Sequence, residues 1–346
     1  MTVPNATRKQ TSLALLSVFI ALISSAPTLA LDDFYKGKTI DFVIGYTPGA
    51  TYDLYARLVS RHLGNHLPGG PRIVPRNLAG AGSRVAVNYI YSVAAQDGTA
   101  VGTADQSLAV EQAMGDKQLV VDVNRLQWIG NPVVSNNTTV AWHTSGVRSV
   151  QDARAREVSV GATGSSTSSQ YPRLMNALLG TKFKVILGYP GANDINLAME
   201  RGEVAGKGSD SWAAWKATRP DWLRDGKINI LVQIGLTKNP EMGGAPLLMD
   251  LANNADDREV MKLLSTSVVI GRPIFTGPGV PAERVEMLRR AFDETMLDPE
   301  FIKEAKEGKM DLDPVSGVTL QKLIGEIVAT PRFVSDRLTG IIGGPQ

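Results

Sequence analysis

Cysteine is absent from this chain of 346 residues. The protein therefore forms no disulfide, binds no zinc through thiolates and has no cysteine nucleophile. The lipobox cysteine that would carry a lipid anchor is missing as well. Exported proteins without disulfides are common, so the absence does not by itself place the protein in the cytosol.

An excess of either charge is also missing, because 36 basic and 34 acidic residues give a formal net charge of +2. The chain has no basic or acidic block, and we therefore predict no nucleic-acid partner. Histidine is scarce, with 3 residues. His62 and His66 have the i,i+4 spacing of a metal site, but Gly64 and Pro68 indicate a helix end, where cations are favoured. We predict neither a metal site nor a cofactor.

Motifs of nucleotide-binding and hydrolytic enzymes are incomplete or absent. Residues 80–84 begin like a dinucleotide fingerprint, but Val85 stands where the third glycine would fall. Residues 202–208 are one position short of a P-loop and end in glycine where that motif has serine or threonine. No Gly-x-Ser-x-Gly elbow occurs. We predict that the protein has no catalytic residues and is not an enzyme.

Residues 1–30 have the parts of a secretory signal peptide. Arg8 and Lys9 form a positive region, residues 13–23 are almost wholly apolar, and small residues lead to Ala30. An uncleaved anchor is the alternative, but an apolar core of about a dozen residues is shorter than the roughly 20 that span a bilayer. We predict cleavage after Ala30, export to the periplasm and a soluble mature protein.

Short apolar runs alternate with amphipathic patterns along the rest of the chain. The runs predict strands at residues 40–46, 73–74, 158–161, 183–187, 228–234 and 267–270. The helical spacing of apolar side chains predicts helices at residues 54–63, 85–93, 171–179 and 282–296. This alternation is typical of α/β layers with largely parallel sheets, and the length suggests about two domains. We predict a hinge between them near residues 129–134 and 269–275.

A loop at residues 47–53 leads from a predicted strand into a predicted helix and is a candidate anion site. It contains Gly49, Ala50, Thr51 and Asp53. A glycine lets backbone amides approach a ligand, and the start of a helix carries partial positive charge. The alternative is a plain turn in which Thr51 or Asp53 caps the helix.

A second loop of the same kind contains Gly80, Gly82, Ser83 and Arg84. Arg84 could hold a carboxylate through two parallel hydrogen bonds, or it could be a solvated surface residue. A third loop, residues 161–169, is rich in glycine and hydroxyl groups. We interpret it as a cradle of hydroxyls and amides, with a flexible loop as the alternative. A fourth loop begins at Tyr189, and Asp210 lies beyond it.

The order of these loops resembles the Bug family, the periplasmic solute receptors of tripartite tricarboxylate transporters. Residues 48–53 resemble the family's Pro-Gly-Gly-Gly-Thr-Asp pattern, and residues 80–84 resemble its Gly-Ala-Gly-Gly-Asn pattern. Further motifs of the family are matched at residues 96–99, 161–169, 189–191 and 277–281. The likeness runs from about residue 38 to residue 332. No single motif is specific, but their order and separations together are.

The resemblance implies a type II periplasmic-binding-protein fold, with two α/β lobes joined by two crossing strands and a ligand cleft between them. It implies a first lobe at residues 31–133 and 270–346 that grips a carboxylate, and a second lobe at residues 134–269 that closes over it. The implied ligand-binding residues are Gly49, Ala50, Thr51, Asp53, Gly80, Gly82, Ser83, Arg84, Asp105, Ser107, Thr163, Ser165, Ser166, Thr167, Tyr189 and Asp210.

The resemblance further implies a monomeric receptor that captures a small carboxylate, such as a dicarboxylate or tricarboxylate, for the membrane subunits of a transporter. A sensing module for a membrane kinase would use the same clamp and is an alternative. A hydrolase that uses the serines of residues 165–169 is another. Ala50, Tyr52 and Arg84 depart from the family's pattern, which leaves the far end of the ligand open.

Overall fold

The computed structural model of the protein describes residues 1–2 and 34–342. The predicted cleavage site after Ala30, and all but the first two residues of the predicted signal peptide, lie outside the described residues. Across residues 34–342, no helix combines the length and apolar character needed to cross a membrane.

The chain alternates between strands and helices, as the sequence predicts. The strands are β1 (Thr39–Ile44), β2 (Arg72–Asn77), β3 (Ala100–Thr103), β4 (Gln127–Asn131), β5 (Asn137–Trp142), β6 (Val158–Gly161), β7 (Phe183–Ile186), β8 (Gly206–Ser211), β9 (Ile228–Ile234), β10 (Ile274–Thr276) and β11 (Val315–Ser316). The helices are α1 (Thr51–His62), α2 (Arg84–Ser92), α3 (Leu108–Ala113), α4 (Val150–Ala155), α5 (Thr167–Leu179), α6 (Ala192–Glu200), α7 (Trp212–Thr218), α8 (Pro220–Arg224), α9 (Ala255–Ser265), α10 (Ser267–Ile270), α11 (Ala282–Leu297), α12 (Pro299–Glu307), α13 (Gly317–Val328) and α14 (Arg332–Ile342).

The strands form two sheets, and each sheet is the centre of one lobe. The first has the order β11-β4-β10-β3-β1-β2, and the second has the order β7-β6-β8-β5-β9. Strand β1 is parallel to β2 and β3, whereas β10 is antiparallel to its neighbours β3 and β4. In the second sheet, β6 is parallel to β7 and β8, whereas β5 is antiparallel to β8 and β9. In each sheet an antiparallel strand directly follows a crossing of the chain from the other sheet. This strand is β10 in the first sheet and β5 in the second.

The two crossings occupy residues 132–136, between β4 and β5, and residues 271–273, between α10 and β10. They overlap the predicted hinge segments. The predicted boundaries, after residues 133 and 269, lie in or beside them. The architecture is therefore the predicted one of two α/β lobes joined by crossing segments.

One predicted strand is wrong, because residues 267–270 form helix α10. A short apolar run does not distinguish a strand from a buried helical segment. Here the run follows α9 almost directly, and the Ser267 hydroxyl donates to the Leu264 carbonyl at 2.8 Å, as a side chain in a continuing helical turn does.

The last helix departs from the predicted division, which assigned residues 270–346 to the first lobe. Helix α14 packs against α5 and α9 of the second lobe. Its buried face includes Val334 and Leu338, which belong to one apolar cluster with Leu174 and Val260. Burial of this apolar stripe is the physical reason for the crossing.

Candidate ligand-binding site

A cavity of about 50 Å³ lies between the lobes, where the ends of strands from both sheets meet. The first lobe and the crossing at residues 271–273 line it with Tyr46, Ala50, Thr51, Tyr52, Asp105, Gln106 and Arg272. The second lobe lines it with Asn137, Thr163, Ser166, Thr167, Ser168, Ala192, Ile195, Lys207, Ser209, Asp210 and Ser211. A cavity of this size holds a small molecule of several non-hydrogen atoms when the lobes are in this arrangement.

The loop between β1 and α1 contributes the start of a helix to the cavity. Helix α1 begins at Thr51, and Ala50 precedes it without a side-chain cap. The interpretation of Thr51 or Asp53 as the N-cap is therefore wrong. Asp53 lies in the first turn, and its carboxylate accepts hydrogen bonds from the Gly49 amide at 2.8 Å and from Asn77 Nδ2 at 2.8 Å. Asp53 thus fixes the loop from behind and does not line the cavity.

Arg272 is the cation of the cavity that the protein leaves incompletely bonded. The residue is 4% exposed, and Nη2 donates to Ser211 Oγ at 2.6 Å. The guanidinium lies 5.0 Å from the centre of the Tyr52 ring. Its Nε and Nη1 are buried and have no hydrogen-bond partner among the described residues. Because buried donors are almost always paired, these two nitrogens indicate a missing acceptor.

Gln106 also lines the cavity and has unpaired side-chain atoms. Its backbone amide donates to the Tyr52 hydroxyl at 3.2 Å. The side-chain amide is buried, and in the described part of the chain neither Oε1 nor Nε2 meets a hydrogen-bond partner. The cavity therefore presents unpaired donors and one unpaired acceptor from residues that line it.

Asp105 lines the cavity and is held in place by two hydrogen bonds. The Tyr46 hydroxyl donates to Oδ2 at 2.7 Å, and the Ser107 amide donates to Oδ1 at 2.9 Å. Burial, reinforced by the Asp105 charge, holds the pKa of Tyr46 well above its usual value. Tyr46 is therefore a neutral donor, and each Asp105 oxygen keeps a lone pair for a further contact.

Lys207 is a second cation of the cavity, but the protein has already used its donors. Its Nζ contacts Asp210 Oδ2 at 2.5 Å, Asn196 Oδ1 at 2.9 Å and the Ala192 carbonyl at 3.1 Å. Burial lowers the pKa of Lys207, although the Asp210 charge opposes this shift. An ammonium has three donors, so Lys207 and Asp210 form a self-contained pair.

The hydroxyl-rich loop before α5 forms part of the cavity wall. Thr163, Ser166 and Thr167 line the cavity together with Ser168. Ser166 caps α5 in a capping box with Ser169. Its hydroxyl lies 3.0 Å from Thr163 Oγ1 and 2.8 Å from Ser168 Oγ. Hydroxyls that bond one another can still donate to or accept from a ligand.

Arg84 fits neither interpretation drawn from the sequence, since it is buried and lies outside the cavity. Its Nη2 donates to Glu111 Oε2 at 2.8 Å and to Ser165 Oγ at 3.0 Å, and it also pairs with Asp116. Burial raises the pKa of Glu111 to about 7, against the opposing effect of Arg84. Arg84 therefore belongs to an ion cluster that joins the lobes.

Several other predicted residues lie around the cavity without lining it. They are Gly49, Gly80, Gly82, Ser83, Ser107, Ser165 and Tyr189. Gly82 has a φ of +64°, and a Cβ there would lie 2.5 Å from the Ser165 carbonyl oxygen of the other lobe. Its small size therefore serves contact between the lobes. Ser83 accepts from the Asp105 amide at 2.8 Å, and Ser107 donates to Glu111 Oε1 at 2.7 Å.

Sequence reasoning missed Tyr46, Gln106, Asn137, Lys207 and Arg272 as lining residues. Arg272 lies within a predicted hinge segment, and crossing segments of a two-lobed protein pass the cleft. That position was the available signal for Arg272. Lys207 and Asn137 lie in strands of the second sheet and carried no comparable signal.

Solved structures share this architecture. The periplasmic binding protein BugD aligns with a TM-score of 0.70 and 16% sequence identity, over 89% of this chain and 99% of its own. The chain has the two-lobed fold of BugD. The predicted type II periplasmic-binding fold, and the likeness to Bug proteins, are thereby confirmed at the level of the fold.

Two further structures with this fold contain carboxylates. MatC from Rhodopseudomonas palustris, with bound malate, has a TM-score of 0.68 and 18% identity, over 87% of this chain and 99% of its own. Another R. palustris protein, with adipate, has a TM-score of 0.66 and 20% identity, over 89% of this chain and 98% of its own. No family model and no curated protein matches the chain.

Proposed function

We propose that the protein is a periplasmic solute receptor that captures a small carboxylate between its lobes and catalyses no reaction. The observation that carries this proposal is the Arg272 guanidinium, which lines the inter-lobe cavity with two buried, unpaired nitrogens. A carboxylate can accept two parallel hydrogen bonds from a guanidinium. Such a ligand would remove the cost of leaving these donors buried and unbonded.

The fold supports the same ligand class and a role in transport. Proteins of this fold have been solved with malate and with adipate, and both molecules are carboxylates. By analogy with the receptors that the sequence resembles, the protein would deliver its ligand to the membrane subunits of a tripartite tricarboxylate transporter. The described residues from both lobes that line the cavity agree with capture by closure.

Within residues 34–342, the hydrolase alternative has no histidine hydrogen-bonded to the serines of residues 165–169. A nucleophilic serine needs a general base within hydrogen-bond reach. His62 and His66 bond instead to Glu304 and Asp298, and His143 packs against Trp142. The hydroxyls of residues 163–169 bond mainly to one another and to the backbone.

A thermal-shift screen of the mature protein against small carboxylates tests the proposal. A ligand at 100 times its Kd adds about 2.7 kcal/mol to the free energy of unfolding. Arg272→Gln should remove this increase for every carboxylate that stabilises the wild-type protein. Arg61→Gln is the matched control, because it removes the same charge from an exposed position on α1.

The proposal is wrong if no carboxylate raises the melting temperature, or if Arg272→Gln responds as the wild type does. Small-angle scattering supplies an independent measurement, because a ligand that closes the lobes reduces the radius of gyration. Release of product from a panel of esters would instead support the hydrolase.

A further inference from the structure

Four charged side chains, Asp105, Lys207, Asp210 and Arg272, line the cavity, and they fall into two kinds. Lys207 and Asp210 neutralise each other at 2.5 Å, with side-chain exposures of 1% and 9%. Arg272 and Asp105 are equally buried, at 4% exposure each. Within residues 34–342, neither of these two forms an ion pair, since Arg272 donates to Ser211 and Asp105 accepts from neutral groups.

Two stacked tyrosine rings link the unpaired charges. The Tyr46 ring lies 4.7 Å from the Tyr52 ring. Tyr46 donates to Asp105, and Arg272 lies over Tyr52. The aromatic pair thus carries an anion at one end and a cation at the other. A buried charge without a partner of opposite sign is costly, and this cavity contains one of each sign.

We infer, on the basis of the proposed function, that the ligand is a small amino acid in its zwitterionic form. Its carboxylate binds Nε and Nη1 of Arg272, and its ammonium group binds the free lone pairs of Asp105. Gln106 offers an amide donor and acceptor to the same molecule. A zwitterion pairs both charges and leaves the cavity neutral.

A dicarboxylate fits this charge pattern poorly. One carboxylate would pair with Arg272, but the other would lie in a cavity whose second cation, Lys207, is already paired with Asp210. Its charge would then be placed near Asp105 and Asp210, and like charges in a site of low dielectric repel strongly. The structure therefore favours amino acids over the dicarboxylates that the sequence resemblance implies.

The inference is tested by titration calorimetry with sets of ligands that share one carbon skeleton. One set is alanine, lactate and malonate, and another is serine, glycerate and tartronate. Wild-type protein should bind the amino acid at least tenfold more tightly than the hydroxy acid of the set, and more tightly still than the dicarboxylate. Asp105→Asn should remove this preference, because the asparagine has the same shape without the charge.

The outcomes separate this inference from the proposed function. If hydroxy acids or dicarboxylates bind as tightly as amino acids, and Arg272→Gln abolishes their binding, the inference is overturned and the receptor function stands. If no member of either set binds but another carboxylate stabilises the protein, the inference is overturned and the receptor function stands. If no carboxylate binds, or if Arg272→Gln binds normally, both fail. Since the wild-type comparison needs no variant, poor folding of Asp105→Asn would not protect the inference.

Discussion

Arg84 and Arg272 are both buried between the lobes, but the protein satisfies only one of them. Arg84 contacts Glu111, Asp116 and Ser165, so that its charge and donors are used. Among residues 34–342, the Arg272 side chain donates a hydrogen bond to Ser211 and leaves two nitrogens unpaired. The first arginine is therefore suited to holding the lobes together, and the second to holding a ligand. Burial and position in the cleft do not distinguish the two roles, whereas the inventory of partners does.

Substitution of the two arginines should have opposite effects on stability, and this is the largest effect that we expect. Arg84→Met should lower the free energy of unfolding of the ligand-free protein by about 3–5 kcal/mol, because it leaves Glu111 buried beside no cation. Arg272→Met should leave that free energy unchanged or raise it, because it removes a buried charge that lacks a partner. Urea denaturation of both variants measures the difference. Equal losses would erase the distinction between the two arginines.

The pH dependence of stability is expected to reflect the Arg84 cluster. Burial raises the pKa of Glu111 from 4.5 to about 7, against the effect of Arg84. The folded protein then binds this proton more tightly than the unfolded chain does. The Glu111 contribution to the free energy of unfolding should therefore fall as pH rises from about 4.5 to about 7. The fall should be on the order of 3 kcal/mol.

Glu111→Gln should remove that part of the profile. Unfolding free energies measured at intervals from pH 4 to pH 8 should decline less steeply for the variant than for the wild type over this range. The difference between the two profiles isolates Glu111 from other titrating groups. Parallel profiles would show that Glu111 keeps an ordinary pKa.

The contact at Gly82 should affect closure more than the fold. In Gly82→Val the side chain would meet the Ser165 carbonyl, and the φ of +64° disfavours valine. We expect at least a tenfold loss of affinity for the ligand and no compaction on ligand addition in small-angle scattering. Gly70→Val is the control, because Gly70 also has a positive φ but has open space around its Cβ position. Normal compaction of Gly82→Val would contradict a role in closure.

The smallest expected effect belongs to Ser165. Ser165→Ala removes one hydrogen bond between Arg84 and the second lobe. Arg84 retains two carboxylate partners in this variant. The free energy of ligand binding should therefore weaken by about 1 kcal/mol, which is less than a tenfold fall in affinity. Calorimetry with the ligand identified by the screen measures it. A loss as large as that of Arg272→Gln would place Ser165 in the ligand site after all.

The sequence predicts the fold well where local signals agree. Residues 228–234 form a strand with the predicted bounds, and helix α11 extends one residue beyond its predicted end. Residues 267–270 show the limit, since a short apolar run suits either structure and the preceding helix decides.

The site is predictable where it consists of strand ends and loops. Ala50, Thr163 and Ser166 lie in loops that precede helices, Thr51 is the first residue of α1, and all four line the cavity. The charged residues were harder, because their roles depend on partners distant in sequence. Arg84 is bonded to Glu111, 27 residues away, and to Ser165, 81 residues away. No local pattern reveals that Arg84 is saturated and Arg272 is not.

Helix α14 affects how the two lobes can move relative to each other, because it adds a third connection to the two crossing segments. Helix α13 before it packs on β4 and α3 of the first lobe, whereas α14 packs on α5 and α9 of the second. On the side of the second lobe, the Arg337 side chain pairs with Asp256 at 3.4 Å. On the side of the first lobe, the Thr339 hydroxyl donates to the Met114 carbonyl at 3.0 Å. We expect α14 to travel with the second lobe when the cleft opens. The short turn at residues 329–331 then becomes a third pivot, and three pivots restrict twisting of the lobes more than two do.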